Sequence, residues 1–375
     1  MTMRERMHAV LAGREHDRVP FCTYGGMEGL PFDEITDLLG PNRWGRLHYT
    51  MVHRVAYPHC KFETEDYDDV GARQSEPSHE AIGMRYPGLE GADGDRWQRN
   101  TIHTPAGSIF EERVFEPAYD SSTARKHFLE TAADYEVFWA FLEDAVIVPD
   151  YDRYLREDAL AGDDGMAMAW IERTPYQQLW VEWVGLGNLG IHMVDFPDHV
   201  HRTMELLRSR ARRTFEIAAL SPAPFIEMPD NITAPAIGPK RFLEYCVPLY
   251  NELASMLADR GALVFVHMDG ELQGLWDAIA ASDVGGLDSF TPAPDTGTPV
   301  EQAVAMCPDL RLWVNFPASL HLASPEEIRE AAEGILRAAG HTGRLQLQIT
   351  ENIAAGTWPT SLPIIADAIE SFGRP

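Results

Sequence analysis

Cysteine is scarce in this chain. Only Cys22, Cys60, Cys246 and Cys307 occur in 375 residues. They are far apart and form no Cys-x-x-Cys pair, which argues against a disulfide framework and against a cysteine-only zinc site. Positive charge is scarce too: 31 Lys and Arg stand against 58 Asp and Glu, for a formal charge of −27. Such a field repels nucleic acid and anionic membrane surfaces. The acids are spread along the chain, so they read as a solvated surface and not as an acidic tail. Long apolar runs are missing as well, and Met1 to Arg14 is charged where a signal peptide would be apolar. A cytoplasmic protein without nucleic-acid or membrane partners is expected. The chain also lacks a Walker A sequence, a Gly-x-Ser-x-Gly elbow and a His-Glu-x-x-His helix. Its one Gly-x-Gly-x-x-Gly match, Gly185 to Gly190, follows a tryptophan-rich helix-like stretch, so a turn between helices is expected there and not a dinucleotide site.

What is present is material for a core, with 45% of residues hydrophobic, arranged in a repeating pattern. Strand-like runs occur at Val19 to Tyr24, Met166 to Trp170, Pro224 to Met228, Leu263 to His267, Gly286 to Phe290, Leu310 to Asn315 and Leu345 to Ile349. Helical patterns fall between the later ones, for example at Val200 to Ala219 and Ser324 to Ala339. This alternation is the sequence form of repeated βαβ units. A doubly wound sheet would use the same alternation, but here polar residues end strand after strand: His267, Asp269, Ser289, Thr291, Asn315, Thr350 and Glu351. In a (β/α)8 TIM barrel all such ends converge, whereas in an open sheet only those at the switch point meet. A single α/β barrel domain over residues 1–375 is therefore expected. It carries a β-hairpin insertion at about 65–117, read from Arg96 to His103, a Thr-Pro-Ala-Gly turn, and Ser108 to Phe115.

The strongest chemical signal is Val264-Phe-Val-His-Met-Asp-Gly-Glu271. Alternate strand residues share a face, so His267 and Asp269 point the same way, where they can bind a divalent metal or move a proton. The plainer reading, a strand-end histidine followed by a helix N-cap, fits the spacing equally well. Glu351, after the last strand, can complete a metal site with His267 and Asp269 or contact a polar substrate. Asp230 and Asn231 follow Phe225-Ile-Glu-Met-Pro229. Asp230 is a candidate acid or base and Asn231 a candidate substrate contact, while Glu227 reads as a structural strand residue. Tyr24, Trp170 and Asn315 lie at strand ends and can line the substrate pocket. Large aromatics there also serve as plain core, and His321 reads as core.

The order of elements, the Thr104-Pro-Ala-Gly107 hairpin, Ile237-Gly-Pro-Lys-Arg-Phe242 leading to Val247-Pro248, and His267-Met-Asp-Gly270 together resemble the uroporphyrinogen decarboxylase superfamily, which includes corrinoid-dependent methyltransferases. The arginine-rich signature of the true decarboxylases is replaced by Thr23-Tyr-Gly-Gly-Met-Glu28, so a many-carboxylate porphyrinogen is not the expected substrate. The methyltransferase branch is closer in layout. Its zinc-binding His-x-Cys pair is matched by His267 with Asp269 in place of the first cysteine, and Glu351 lies in the region of the second. The resemblance implies Zn2+ at His267, Asp269 and Glu351, a homodimer, and methyl transfer from a small methoxy or methylamine substrate to a thiol or to a corrinoid on a partner protein. Replacing two thiolates by carboxylates makes the site harder. A cofactor-free decarboxylase or lyase, or a non-catalytic binding protein, are the alternatives on the same barrel.

Overall fold

The computed structural model describes residues 1–27, 30–68, 73–75, 96–116, 121–351, 353–354 and 356–373. Glu28, Pro117 and Asn352 lie outside them. The chain divides into two compact units, one made of Met1–Arg54, Pro149–Thr174 and Thr214–Pro375, the other of Val55–Val148 and Pro175–Arg213.

The first unit is a closed barrel of eight parallel strands: β1 (Phe21–Tyr24), β2 (Gly45–Met51), β3 (Gly165–Trp170), β4 (Phe225–Met228), β5 (Leu263–His267), β6 (Gly286–Phe290), β7 (Arg311–Asn315) and β8 (Leu345–Ile349). Each strand pairs with the next, and β8 closes on β1 with Phe21 beside Leu347. Seven of these are the expected strands. The eighth, β2, runs through Arg-Leu-His-Tyr-Thr-Met, and its scattered polar residues do not read as a buried parallel strand.

Inward-facing side chains fill the barrel. Cys22, Leu47, Met166, Met168, Phe225, Phe265 and Trp313 form its middle, together with Met3, Met7 and Leu11 from the helix Met3–Leu11. The rings of Phe225, Phe265 and Trp313 lie 4.5 to 5.1 Å apart. Gly286 makes this possible: a Cβ there would stand 2.3 Å from the Phe265 ring. The same alternation carries Tyr24, Tyr49, Trp170, Glu227, His267, Asp288, Asn315 and Gln348 to the C-terminal ends of the eight strands.

The second unit holds a five-stranded antiparallel sheet. Its expected hairpin is present, running from Arg96 beside Phe115 to Thr104 beside Gly107. This unit has its own aromatic core: Tyr57 stacks on Phe141 at 4.4 Å and Phe138 meets Trp183 at 4.5 Å. The glycine motif at 185–190 opens the helix Leu186–Asp195 and is not a turn. Gly185 adopts φ +82, and a Cβ on it would come within 2.4 Å of the His127 ring. A π-helical turn, Leu179–Trp183, precedes it in place of a strand. Among the described residues no helix is long and apolar enough to cross a membrane.

Candidate active site

The barrel's C-terminal end gathers the His267 imidazole and several carboxyl groups. Pairing of β5 with β6 sets His267 beside Asp288. Nδ1 of His267 lies 3.0 Å from Oδ2 of Asp288, and Nε2 lies 3.5 Å from Oδ2 of Asp269. Asp288 is fully buried and also accepts from Tyr24 Oη at 2.5 Å and from Gln348 Nε2 at 2.8 Å. Burial by itself lowers the His267 pKa, but hydrogen bonds and charge from Asp269 and Asp288 outweigh it and raise the pKa well above its ordinary value. The ring thus sits between two carboxyl groups that favour its protonated form when no cation is bound. Asp269 answers in kind. Burial pushes its pKa up, yet the bond to His267 and the donor on Asn231 bring the net shift below the usual range.

Glu227 stands on β4 in the register of Trp170 on β3. It is 1% exposed, and among the described residues no group other than the neighbouring carboxyl of Asp288 reaches its carboxyl oxygens. Burial and the charge of Asp288 raise its pKa well above the ordinary carboxyl value, a shift that a neighbouring cation would oppose. Glu227, His267 and Asp288 each bring one ligand atom within 4.8 Å of the others. One nitrogen with carboxylate oxygens is a donor set competent for zinc or a harder divalent ion, and a cation would relieve the crowding of the buried Glu227 and Asp288 carboxyl groups. The residues therefore fit a divalent metal.

The other expected residues fall as follows. Asp269 is in contact with His267, as the spacing requires. Glu351 is half-buried just beyond β8, where burial and then the charge of Asp269 raise its pKa. Asp230 is fully buried and accepts from the Thr174 amide at 2.7 Å, the Thr174 hydroxyl at 2.9 Å and Tyr250 Oη at 2.5 Å. Burial raises its pKa while these bonds lower it, and burial prevails. Asn231 adopts φ +51, an uncommon conformation for a side chain other than glycine. It accepts from Arg173 at 2.8 Å and donates from Nδ2 to Asp269 at 3.1 Å, so it orients the carboxylate that faces His267. Asn315 is fully buried; its oxygen accepts from the Thr350 amide and its nitrogen donates to Thr291, which ties two strand-end loops together. Tyr24 and Trp170 form an aromatic wall with Tyr49 between them.

Three residues of this site are not among those expected from sequence: Glu227, Asp288 and Tyr49. The available signal for the first two is a lone acid inside an apolar run, Phe-Ile-Glu-Met on β4 and Gly-Leu-Asp-Ser-Phe on β6. For Tyr49 there is no signal without β2.

Comparison with known proteins agrees with this architecture. A methyltransferase from Methanosarcina mazei superposes over 99% of both chains with a TM-score of 0.56 at 13% identity, which shows a common fold. A Listeria monocytogenes protein described provisionally as a vitamin-B12 independent methionine synthase covers 59% of this chain and 68% of its own at 9% identity, with a TM-score of 0.34. No curated protein sequence matches the chain. The family profile of uroporphyrinogen decarboxylase (URO-D) matches residues 185–370, a stretch that holds Glu227, Asp230, His267, Asp269, Asp288 and Glu351. Residues 185–370, with the later strands of the eight-stranded barrel and the carboxyl groups around His267, thus match the uroporphyrinogen decarboxylase family.

Proposed function

We propose that this protein transfers a methyl group from a small methoxy or methylamine donor to a nucleophilic acceptor, either a corrinoid carried by a partner protein or a thiol. The observation that carries this reading is the imidazole of His267, held between Asp288 and Asp269 at the open end of the barrel. The acceptor's electron pair forms a bond to the methyl carbon, and the old bond breaks with its pair on the oxygen or nitrogen. That heteroatom leaves more easily with a proton, which the Nε2 side of His267 is placed to supply. Asp288 fixes the ring through Nδ1, and Asn231 fixes Asp269. The family match and the name of the Methanosarcina mazei protein support methyl transfer. The absence of an arginine cluster after β1 speaks against a porphyrinogen.

Zinc or another divalent ion would be held by Glu227, His267 and Asp288, with Asp269 and Glu351 at the edge of the site. Bound there, it supplies Lewis acidity to the leaving atom. The test is methyl transfer from methylamine and methoxy donors to reduced cobalamin, followed by the corrinoid's visible spectrum, beside elemental analysis of the purified protein. Transfer that falls about 100-fold or more in His267→Asn is the expected result. Release of carbon dioxide from a carboxylated donor with no acceptor present would replace this reading with decarboxylation.

A further inference from the structure

The end of the barrel that holds the reactive groups has two unlike sides. Tyr24, Tyr49 and Trp170, from β1, β2 and β3, make one side. Their rings are continuous, with centroids 4.5 Å apart for the first pair and 5.7 Å for the second. The wall is open at its outer part, since Tyr49 is 37% exposed and Trp170 half-buried. The other side, from β4 to β6 and the loop after β5, carries Glu227, Asp288 and Asp269 around the imidazole of His267. The two sides meet where Tyr24 Oη bonds Asp288.

Different classes of ligand satisfy this arrangement to different degrees. An anion is opposed by the carboxyl groups. A neutral methoxy compound suits the aromatic side but brings no positive charge to the crowded carboxyl groups of Glu227 and Asp288. A bare metal ion suits the acids and leaves the ring faces unused. A small ammonium ion bearing methyl groups meets both sides. Its positive charge is spread over the methyl surface, which rests on aromatic faces, and a carboxylate beside it compensates the charge.

Resting on the methyl-transfer reading, we propose that the donor is a small methylated ammonium ion, quaternary or tertiary, bound between the Tyr24, Tyr49 and Trp170 wall and the carboxyl group of Glu227. For such a donor the reaction balances simply. The acceptor, a reduced corrinoid or a thiolate, forms the new bond to carbon. The carbon–nitrogen bond breaks, its electron pair stays on nitrogen, and the positively charged nitrogen leaves as a neutral amine. A quaternary donor draws no proton from His267. A tertiary donor arrives protonated, so its nitrogen keeps that proton and leaves as a neutral secondary amine.

The test is equilibrium binding by titration calorimetry without any methyl acceptor, using choline, its uncharged carbon isostere dimethylbutanol, and methoxybenzoate. Choline is expected to bind saturably, at least about tenfold more tightly than the isostere. Glu227→Gln and Tyr49→Leu are each expected to weaken choline by a similar factor. Tyr49 is partly exposed, so its variant serves even if a change at buried Glu227 disturbs folding, which circular dichroism reports. Equal binding of choline and the isostere, or preference for methoxybenzoate, overturns the inference, as does zinc binding that choline cannot compete with. Choline that binds but is never demethylated supports the ammonium site and overturns the methyl-transfer reading. Transfer from a methoxy donor with no choline binding overturns the ammonium site alone.

Discussion

Gly286 sets a packing limit directly beneath the reactive groups, and replacing it by alanine puts a number on that limit. The added Cβ would lie 2.3 Å from two atoms of the Phe265 ring and 2.8 Å from a third. Carbon atoms in favourable contact stand about 3.5 Å or more apart, so the ring has to retreat by about 1.2 Å. It has nowhere to go: Phe265 is fully buried, with Phe225 at 5.0 Å and Trp313 at 4.5 Å. Overpacking of this kind costs about 1–3 kcal/mol. The sign is diagnostic, because Gly286 has no positive φ, and alanine at an unhindered strand glycine stabilises by about 0.4–1 kcal/mol. Urea unfolding of the wild type, Gly286→Ala, Phe265→Leu and the double variant separates the terms. Phe265→Leu removes the obstructing ring atoms at a cost of its own, so in that background Gly286→Ala should cost little or nothing, giving a coupling of about 1 kcal/mol or more. Since Phe265 lies two residues before His267 on the same face of β5, the single glycine variant should also lose activity. A Gly286→Ala protein as stable as wild type, or costs that simply add, would refute the packing argument.

Other consequences are independent of that one. Burial lowers the His321 pKa to about 4, and the residue is 4% exposed with Nδ1 2.7 Å from the Ser361 hydroxyl. The unfolded state therefore binds the extra proton first. The resulting stability is complete above about pH 6.5 and is lost as pH falls toward 4. Between about pH 7.5 and about pH 5, wild type should lose about 2 kcal/mol more than His321→Gln, at 1.36 kcal/mol per pKa unit. Parallel urea-midpoint curves for the two proteins would exclude this. Asn231→Gly relieves the φ of +51 while removing the donor that orients Asp269. Thermal stability should be unchanged or higher by up to about 1 kcal/mol while turnover falls about tenfold. Unchanged turnover would show that Asp269 needs no such support.

The barrel is legible in the sequence because its later strands are short apolar runs ending in polar groups, and the convergence of those ends follows from closure. His267 and Asp269 are legible for a local reason, their spacing of two on one strand. Asp288 is not, because its meaning depends on pairing across 21 residues with His267. Glu227 reads as an ordinary strand residue for the same cause: only the β3 to β4 register sets it beside Trp170. Tyr49 is hidden by the polar character of β2, and without that strand the aromatic wall has a gap between Tyr24 and Trp170. Asn315 shows the converse, a polar strand end whose amide holds loops together.

The two-sided mouth also has an order along the chain. The aromatic side comes from residues 24, 49 and 170, ahead of the stretch matched by the URO-D profile, while the imidazole and carboxyl groups lie inside that stretch. The aromatic half of the proposed donor site thus lies outside the stretch that carries its acidic half, Glu227, and the imidazole. If the donor binds as proposed, the shape of its methylated surface is read by the leading portion alone, so substitutions there would alter donor preference while leaving His267, Asp269 and Asp288 in place.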